Sequence, residues 1–268
     1  MTTTKNDRPA ADAAADLARG LALCTIDADG IALLRLGSAD EAMVTLTRER
    51  LESLDAILQQ LAGDARVRGV LLTGPGPGMF CAGADVGLIQ SITRVEDGEA
   101  AAVRGRSIFQ RLQRLKVPVV AAIEGPCLGG GLELALCCDV RVASDHPATQ
   151  IGLPEVKLGI LPGFGGTQNL TRLVGLPIAL AVILAGRVLR PQPARKRGLV
   201  DRVAPSARLM RAAREEAERL LRAGRKADVR RLSGAAFLFS HTPLRQLAVH
   251  KAEQTLRRGA NRFYPAPR

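Results

Sequence analysis

Tryptophan is absent from the 268 residues, tyrosine occurs once and phenylalanine six times, so aromatics make up only 3%. A core must then be built from Ala, Leu, Val and Ile, and there is little on which nucleic-acid bases could stack. Histidine is scarce too. His146, His241 and His250 have no ligand spacing, and Cys24, Cys81, Cys127, Cys137 and Cys138 form no C-x-x-C pair. That argues against a metal centre. An odd number of cysteines in apolar surroundings fits free thiols in a reducing, cytoplasmic setting. The longest apolar run, 176–185, is too short to span a bilayer and contains a proline. Residues 1–20 carry three aspartates and no apolar core of signal-peptide length, so they are expected to form a disordered lead-in.

Several chemistries are missing as motifs. Gly74, Gly76 and Gly78 fail the dinucleotide fingerprint because Met79 stands where the third glycine belongs. No G-K-[ST] phosphate loop occurs, and no G-x-S-x-G segment supports a serine nucleophile.

What is present is 47% hydrophobic and unevenly charged. Residues 187–268 hold 21 Lys+Arg against 6 Asp+Glu, leaving 17 against 20 elsewhere. A basic last third suits a polyanionic or phosphate-bearing partner, or a solvated helical surface. Residues 21–26 and 31–36 flank Asp29-Gly30 as a hairpin. Helical periodicity over 47–61, with Thr47 as N-cap, precedes a strand at 70–73. A helix over 99–115, ended by Pro118, leads to a strand at 119–123, a helix at 131–138 and a strand at 140–143. Such alternation predicts an α/β domain. After about residue 165 the strand signals fade, and helices are expected over 167–174, 177–184, 206–223 and 242–258.

One carboxylate is out of place. Glu133 sits in the apolar run Leu132–Cys138, directly behind Gly129-Gly130-Gly131. A buried carboxylate needs hydrogen-bond partners, a raised pKa or a function. A second acid, Glu155, follows in Gly152-Leu153-Pro154-Glu155, ahead of the glycine-rich 159–167. Two acids and glycine-flanked amides suit acid–base work on a carbonyl that becomes an enolate-like oxyanion.

Four segments carry a resemblance: Phe80-Cys81-Ala82-Gly83-Ala84-Asp85; Gly125-Pro126-Cys127-Leu128 through Glu133; Leu153-Pro154-Glu155 through Pro162-Gly163-Phe164-Gly165-Gly166-Thr167-Gln168; and Gly198-Leu199-Val200-Asp201-Arg202-Val203. In this order and spacing they resemble the enoyl-CoA hydratase/isomerase (crotonase) family. The stretch from Thr255 to Pro267 is similar to the junction after the hydratase module of multifunctional fatty-acid β-oxidation α-subunits. The resemblance implies a spiral of β-β-α repeats over 21–205, with a helical C-terminal region over 206–268 that trimerises or docks and ends in a linker-like tail. It implies an acyl-CoA substrate, with coenzyme A arriving as part of it and no separate cofactor. By it Glu133 and Glu155 are the catalytic acids, Ala84 and Gly130 the oxyanion-hole amides, and Gly163 a water-positioning amide. The expected activity is hydration of 2-enoyl-CoA to 3-hydroxyacyl-CoA. Alternatives are 3-enoyl to 2-enoyl isomerisation, or a non-catalytic RNA-binding relative, against which the few aromatics count. A homotrimer or hexamer is expected, with a 3-hydroxyacyl-CoA dehydrogenase or thiolase as possible partner. Dehydrogenase activity is expected to be absent, since no G-x-G-x-x-G is found. One departure is Val44, where the family usually has Asn.

Overall fold

The computed structural model describes residues 21–224 and, beyond them, only 246, 247, 249, 250 and 254. The lead-in 1–20, the tail, and most of the helix expected over 242–258 lie outside the described residues. Strands β1 (Ala22–Ile26) and β2 (Ile31–Leu36) form the expected antiparallel hairpin. The Asp27 carboxylate closes its turn by accepting hydrogen bonds from the amides of Asp29 and Ile31. Helix α1 (Arg48–Gly63) starts where the pattern predicts, and the Thr47 hydroxyl accepts from the Arg50 amide.

Parallel strands β3 (Gly69–Thr73) and β4 (Val119–Ile123) continue the sheet beside β2. Beyond β4 come β6 (Val140–Ser144) and β9 (Arg202–Ala204), giving the order β1-β2-β3-β4-β6-β9. A second sheet pairs β5 (Pro126–Leu128), β7 (Gln150–Gly152) and β8 (Val188–Leu189). Isolated bridges between Cys81 and Cys127 and between Leu46 and Ala84 extend that second layer toward the N-terminal half. The chain thus alternates between a main-sheet strand, a short partner segment and a helix. After β4 and β5 comes α4 (Gly130–Leu136); after β6 and β7 come α5 (Gly166–Val174) and α6 (Leu176–Ile183). Repeated β-β-α turns of the crotonase type are therefore present.

Side chains alternate across the main sheet with the period of a strand. Val119, Ala121 and Ile123 join one core with α1, with α3 (Val95–Gln113) and with α4. Val120 and Ala122 join the other under α8 (Leu209–Arg222), whose Ala212, Ala213 and Ala217 allow close approach. In the chain between β3 and α3, the short and largely exposed α2 (Val86–Gln90) follows the Phe80–Asp85 segment.

Boundaries differ in readable ways. Helix α3 begins at Val95, four residues before the sequence pattern, because its first turn is solvated and acidic and offers no apolar face to read. Strands β5, β7, β8 and β9 and helix α7 (Pro191–Lys196) are missing from the pattern. Two or three residues are too few for alternation to register, and these strands form because a neighbour supplies the ladder. At 206–208 a 3-10 turn precedes α8.

Candidate active site

Every residue of α4 is buried, Glu133 among them with 2% of its surface exposed. Its carboxylate does not bond within its own helix turn. Oε1 accepts from the amides of Phe164 at 2.8 Å and Gly166 at 2.7 Å, where the loop more than thirty residues away enters α5. A Cβ on Gly166 would lie 2.8 Å from Glu133 Cγ, so only glycine lets the loop come this close. Burial pushes the Glu133 carboxyl up to about 7, against the pull of those two amides, which favour its charged form.

Glu155 opens the 3-10 turn Glu155–Leu158 behind β7 and is also buried. Neither carboxyl oxygen has a hydrogen-bond partner among the described residues. Burial raises it to about 7 as well; its own amide opposes the rise and the Glu133 charge adds to it. The two acids therefore feel one another, although they stand on different elements. An Oε1 of Glu155 would be 3.4 Å from a Cβ on Gly129, so this carboxyl faces the N-terminus of the helix that carries Glu133.

A raised carboxyl destabilises the fold at high pH. Between about 4.5 and 7 the folded chain binds more protons than the unfolded one, so stability falls as pH rises through that window. Glu155→Gln is expected to raise unfolding stability at pH 8 by about 1–3 kcal/mol, with no gain at pH 4. Urea unfolding of both proteins at the two pH values measures this; an equal difference at both would show that burial of the charge is not the cause.

Beside the acids lie two backbone amides. Gly83 adopts φ +100°, and a Cβ there would sit 2.9 Å from the Leu128 carbonyl oxygen and 3.1 Å from the Gly130 nitrogen. A Cβ on Gly130 would in turn be 3.6 Å from the Ala84 nitrogen. The backbones of 83–84 and 129–130 thus run against one another, and no acceptor among the described residues takes a hydrogen bond from the Ala84 or Gly130 amide. Paired free N–H groups at the start of a buried helix suit an oxygen that gains negative charge. Burial pushes Cys81 up to about 11 and Cys137 up to about 12, so both stay protonated at neutral pH.

Comparison with known proteins decides the kinship. The enoyl-CoA hydratase/isomerase family pattern matches residues 27–255. The chain belongs to the enoyl-CoA hydratase/isomerase family. It is 41% identical over 239 residues to the fatty acid oxidation complex subunit alpha of Idiomarina loihiensis, covering 89% of this chain and 33% of that protein. The Vibrio vulnificus subunit is 41% identical over 242 residues, covering 90% and 34%. The chain thus spans about a third of the length of these curated relatives. Among solved structures, an enoyl-CoA hydratase from Bacillus anthracis is 32% identical with a TM-score of 0.69, covering 90% of this chain and 92% of that one. The Thermoplasma volcanium enoyl-CoA hydratase is 27% identical with a TM-score of 0.69, covering 90% and 94%.

In this member of the enoyl-CoA hydratase/isomerase family, the amides on Glu133 belong to Phe164 and Gly166, which sequence reasoning did not single out. The Pro162–Thr167 run marked a loop, but nothing local says which of its N–H groups turn inward. Gly163 is exposed, and a Cβ on it would be 3.6 Å from Ala102 on α3. Val44, the departure from the family pattern, is buried, and its carbonyl accepts from the Ala82 amide. Val44 thus makes a core contact beside the 80–85 segment. Among the described residues, no group of acids, histidines and cysteines could hold a metal, and no helix is long and apolar enough to cross a membrane.

Proposed function

We propose that this chain adds water across the double bond of 2-enoyl-CoA thioesters, giving 3-hydroxyacyl-CoA in fatty-acid β-oxidation. The observation that carries the reading is the pair of buried acids, Glu133 and Glu155, raised together and set beside two amides that find no acceptor among the described residues. The Ala84 and Gly130 amides receive the thioester oxygen, where charge develops as C3 is attacked. Losing one such donor costs on the order of 3 kcal/mol of transition-state stabilisation. The acids share the proton bookkeeping. Glu133, held by two amides, is the better carboxylate and takes a proton from the attacking water, with the Gly163 amide helping to position that water. Glu155, desolvated and without a hydrogen-bond partner among the described residues, is the better acid and delivers its proton to C2. The two titrate as a coupled pair, so the division of labour belongs to the pair.

Both groups sit near the pH at which proton transfer either way is easy, so turnover should peak near pH 7 and fall on both sides. The test is loss of enoyl absorbance with crotonyl-CoA across pH 5–9, with 3-enoyl-CoA in parallel because the same acids could move a proton between C2 and C4. Turnover of the 3-enoyl thioester alone would make the chain an isomerase; no reaction with either would refute the proposal. Coenzyme A enters as part of the substrate, without a further cofactor. A reducing cytoplasmic setting, with the described cysteines free, a homotrimer or hexamer, and a dehydrogenase or thiolase partner complete the reading.

A further inference from the structure

Phe164 is held by more than its amide. Its ring stands edge-on to Phe109 of α3, with centroids 5.2 Å apart at 80°. One edge faces α4, where a Cβ on Gly130 would be 3.5 Å from Cδ2. The other edge fills a space on α3 left by Gly105, which is buried in the middle of that helix; a Cβ there would lie 2.4 to 2.8 Å from Cε1, Cδ1 and Cζ. After proline, glycine is the least favourable residue in a helix interior, so its presence here asks for a reason other than helix formation.

We propose that Gly105 is a positioning residue for the paired acids: the methyl it lacks is the seat of the Phe164 ring, and that seat holds the Phe164 amide on Glu133 Oε1. The chain of contacts is continuous. Gly105 admits the ring, Phe109 and the start of α4 flank two of its other edges, and the Phe164 nitrogen lies 2.8 Å from Glu133 Oε1. A methyl at 105 cannot share the space with the ring. The ring is half-buried, with Phe109 and the start of α4 against two of its edges, so the added methyl pushes it away from α3 and draws the Phe164 backbone with it. Glu133 then loses one of the two amides that favour its charged form. The titratable groups that feel the Glu133 charge, Glu155 in the 3-10 turn and Cys137 at the C-cap of α4, stand on elements that do not touch the added methyl. Glu133 should therefore hold its proton more tightly, and the ring's edge should leave the start of α4 at the same time. This inference rests on the hydratase reading for its kinetic consequence but not for its structural one.

Gly98 provides the control within α3, since a Cβ there meets only Ile92 Cγ2 at 3.4 Å, an ordinary contact. Gly98→Ala is expected to raise Tm by about 2–4 °C and to leave kcat unchanged. Gly105→Ala is expected to lower kcat about tenfold and to move the acid limb of kcat/KM up by about one pH unit. Gly105→Ala/Phe164→Leu, in which the ring is trimmed to fit the new methyl, should recover to within about threefold of Phe164→Leu alone. A carboxyl 13C titration of Glu133 in the ligand-free proteins reads the same displacement without turnover, so it still decides the matter if the wild-type chain proves inactive and the hydratase reading fails. Gly105→Ala that folds with an unshifted Glu133 titration overturns the proposal. So does a double variant no better than Gly105→Ala.

Discussion

Glu133→Gln and Glu155→Gln each lower kcat for hydration of a 2-enoyl-CoA by about 10³-fold, within the range usual for a positioned acid or base, with KM little changed. The amide isostere isolates the proton. In Glu133→Gln, the side-chain carbonyl still accepts from the Phe164 and Gly166 amides, so the loop keeps its anchor while the base is gone. In Glu155→Gln no hydrogen bond with a described residue is lost, because neither oxygen makes one. Both proteins should fold, and the second should be the more stable above pH 7. The double variant should be scarcely worse than either single one, since removing one member of a cooperating pair already disables it. Steady-state kinetics together with circular dichroism check this. A folded single variant that turns over within threefold of the wild type would end the paired-acid mechanism.

Gly131→Ala is expected to lose about 3 kcal/mol or more of stability, the upper end for overfilling a packed interior. That is a large fraction of the stability of an ordinary domain. The added Cβ would sit 2.1 Å from the Cys81 carbonyl oxygen and 2.8 Å from its carbon. No rotamer relieves a collision with backbone. Nor can Cys81 retreat freely, since its amide donates to the Pro126 carbonyl and its carbonyl accepts from the Leu128 amide. Any shift would travel three residues along the chain to Ala84. Gly63→Ala is the comparison, because nothing lies within 4 Å of a Cβ there. Urea midpoints of the two variants measure the difference; equal midpoints would show that close approach of 81 and 131 is not what requires glycine.

The hairpin at Asp29-Gly30, the cap at Thr47 and the strand at 119–123 were legible because each rests on near neighbours in the chain. The three-residue strands β5, β7 and β9 were not, since their hydrogen bonds come from segments that periodicity does not see. At the site the division is the same. The isolation of Glu133 in an apolar run was visible as a chemical anomaly, and Glu155 stood out once a second acid was sought. Gly163 was marked by the family pattern, whereas Phe164 and Gly166 carry the observed bonds to Glu133.

The amino-acid order by itself determined that the core would be aliphatic, that strands and helices would alternate, and that one carboxylate, Glu133, would lie in a segment too apolar to solvate it. These follow from side-chain chemistry and from contacts a few residues apart. Only the tertiary structure decided which amides face Glu133, that Glu155 has no hydrogen-bond partner among the described residues, and that a methyl on Gly105 meets a ring and one on Gly131 meets backbone. Those contacts join positions tens of residues apart, where backbone meets backbone or ring, and distances between such segments are set by the packing of the whole chain.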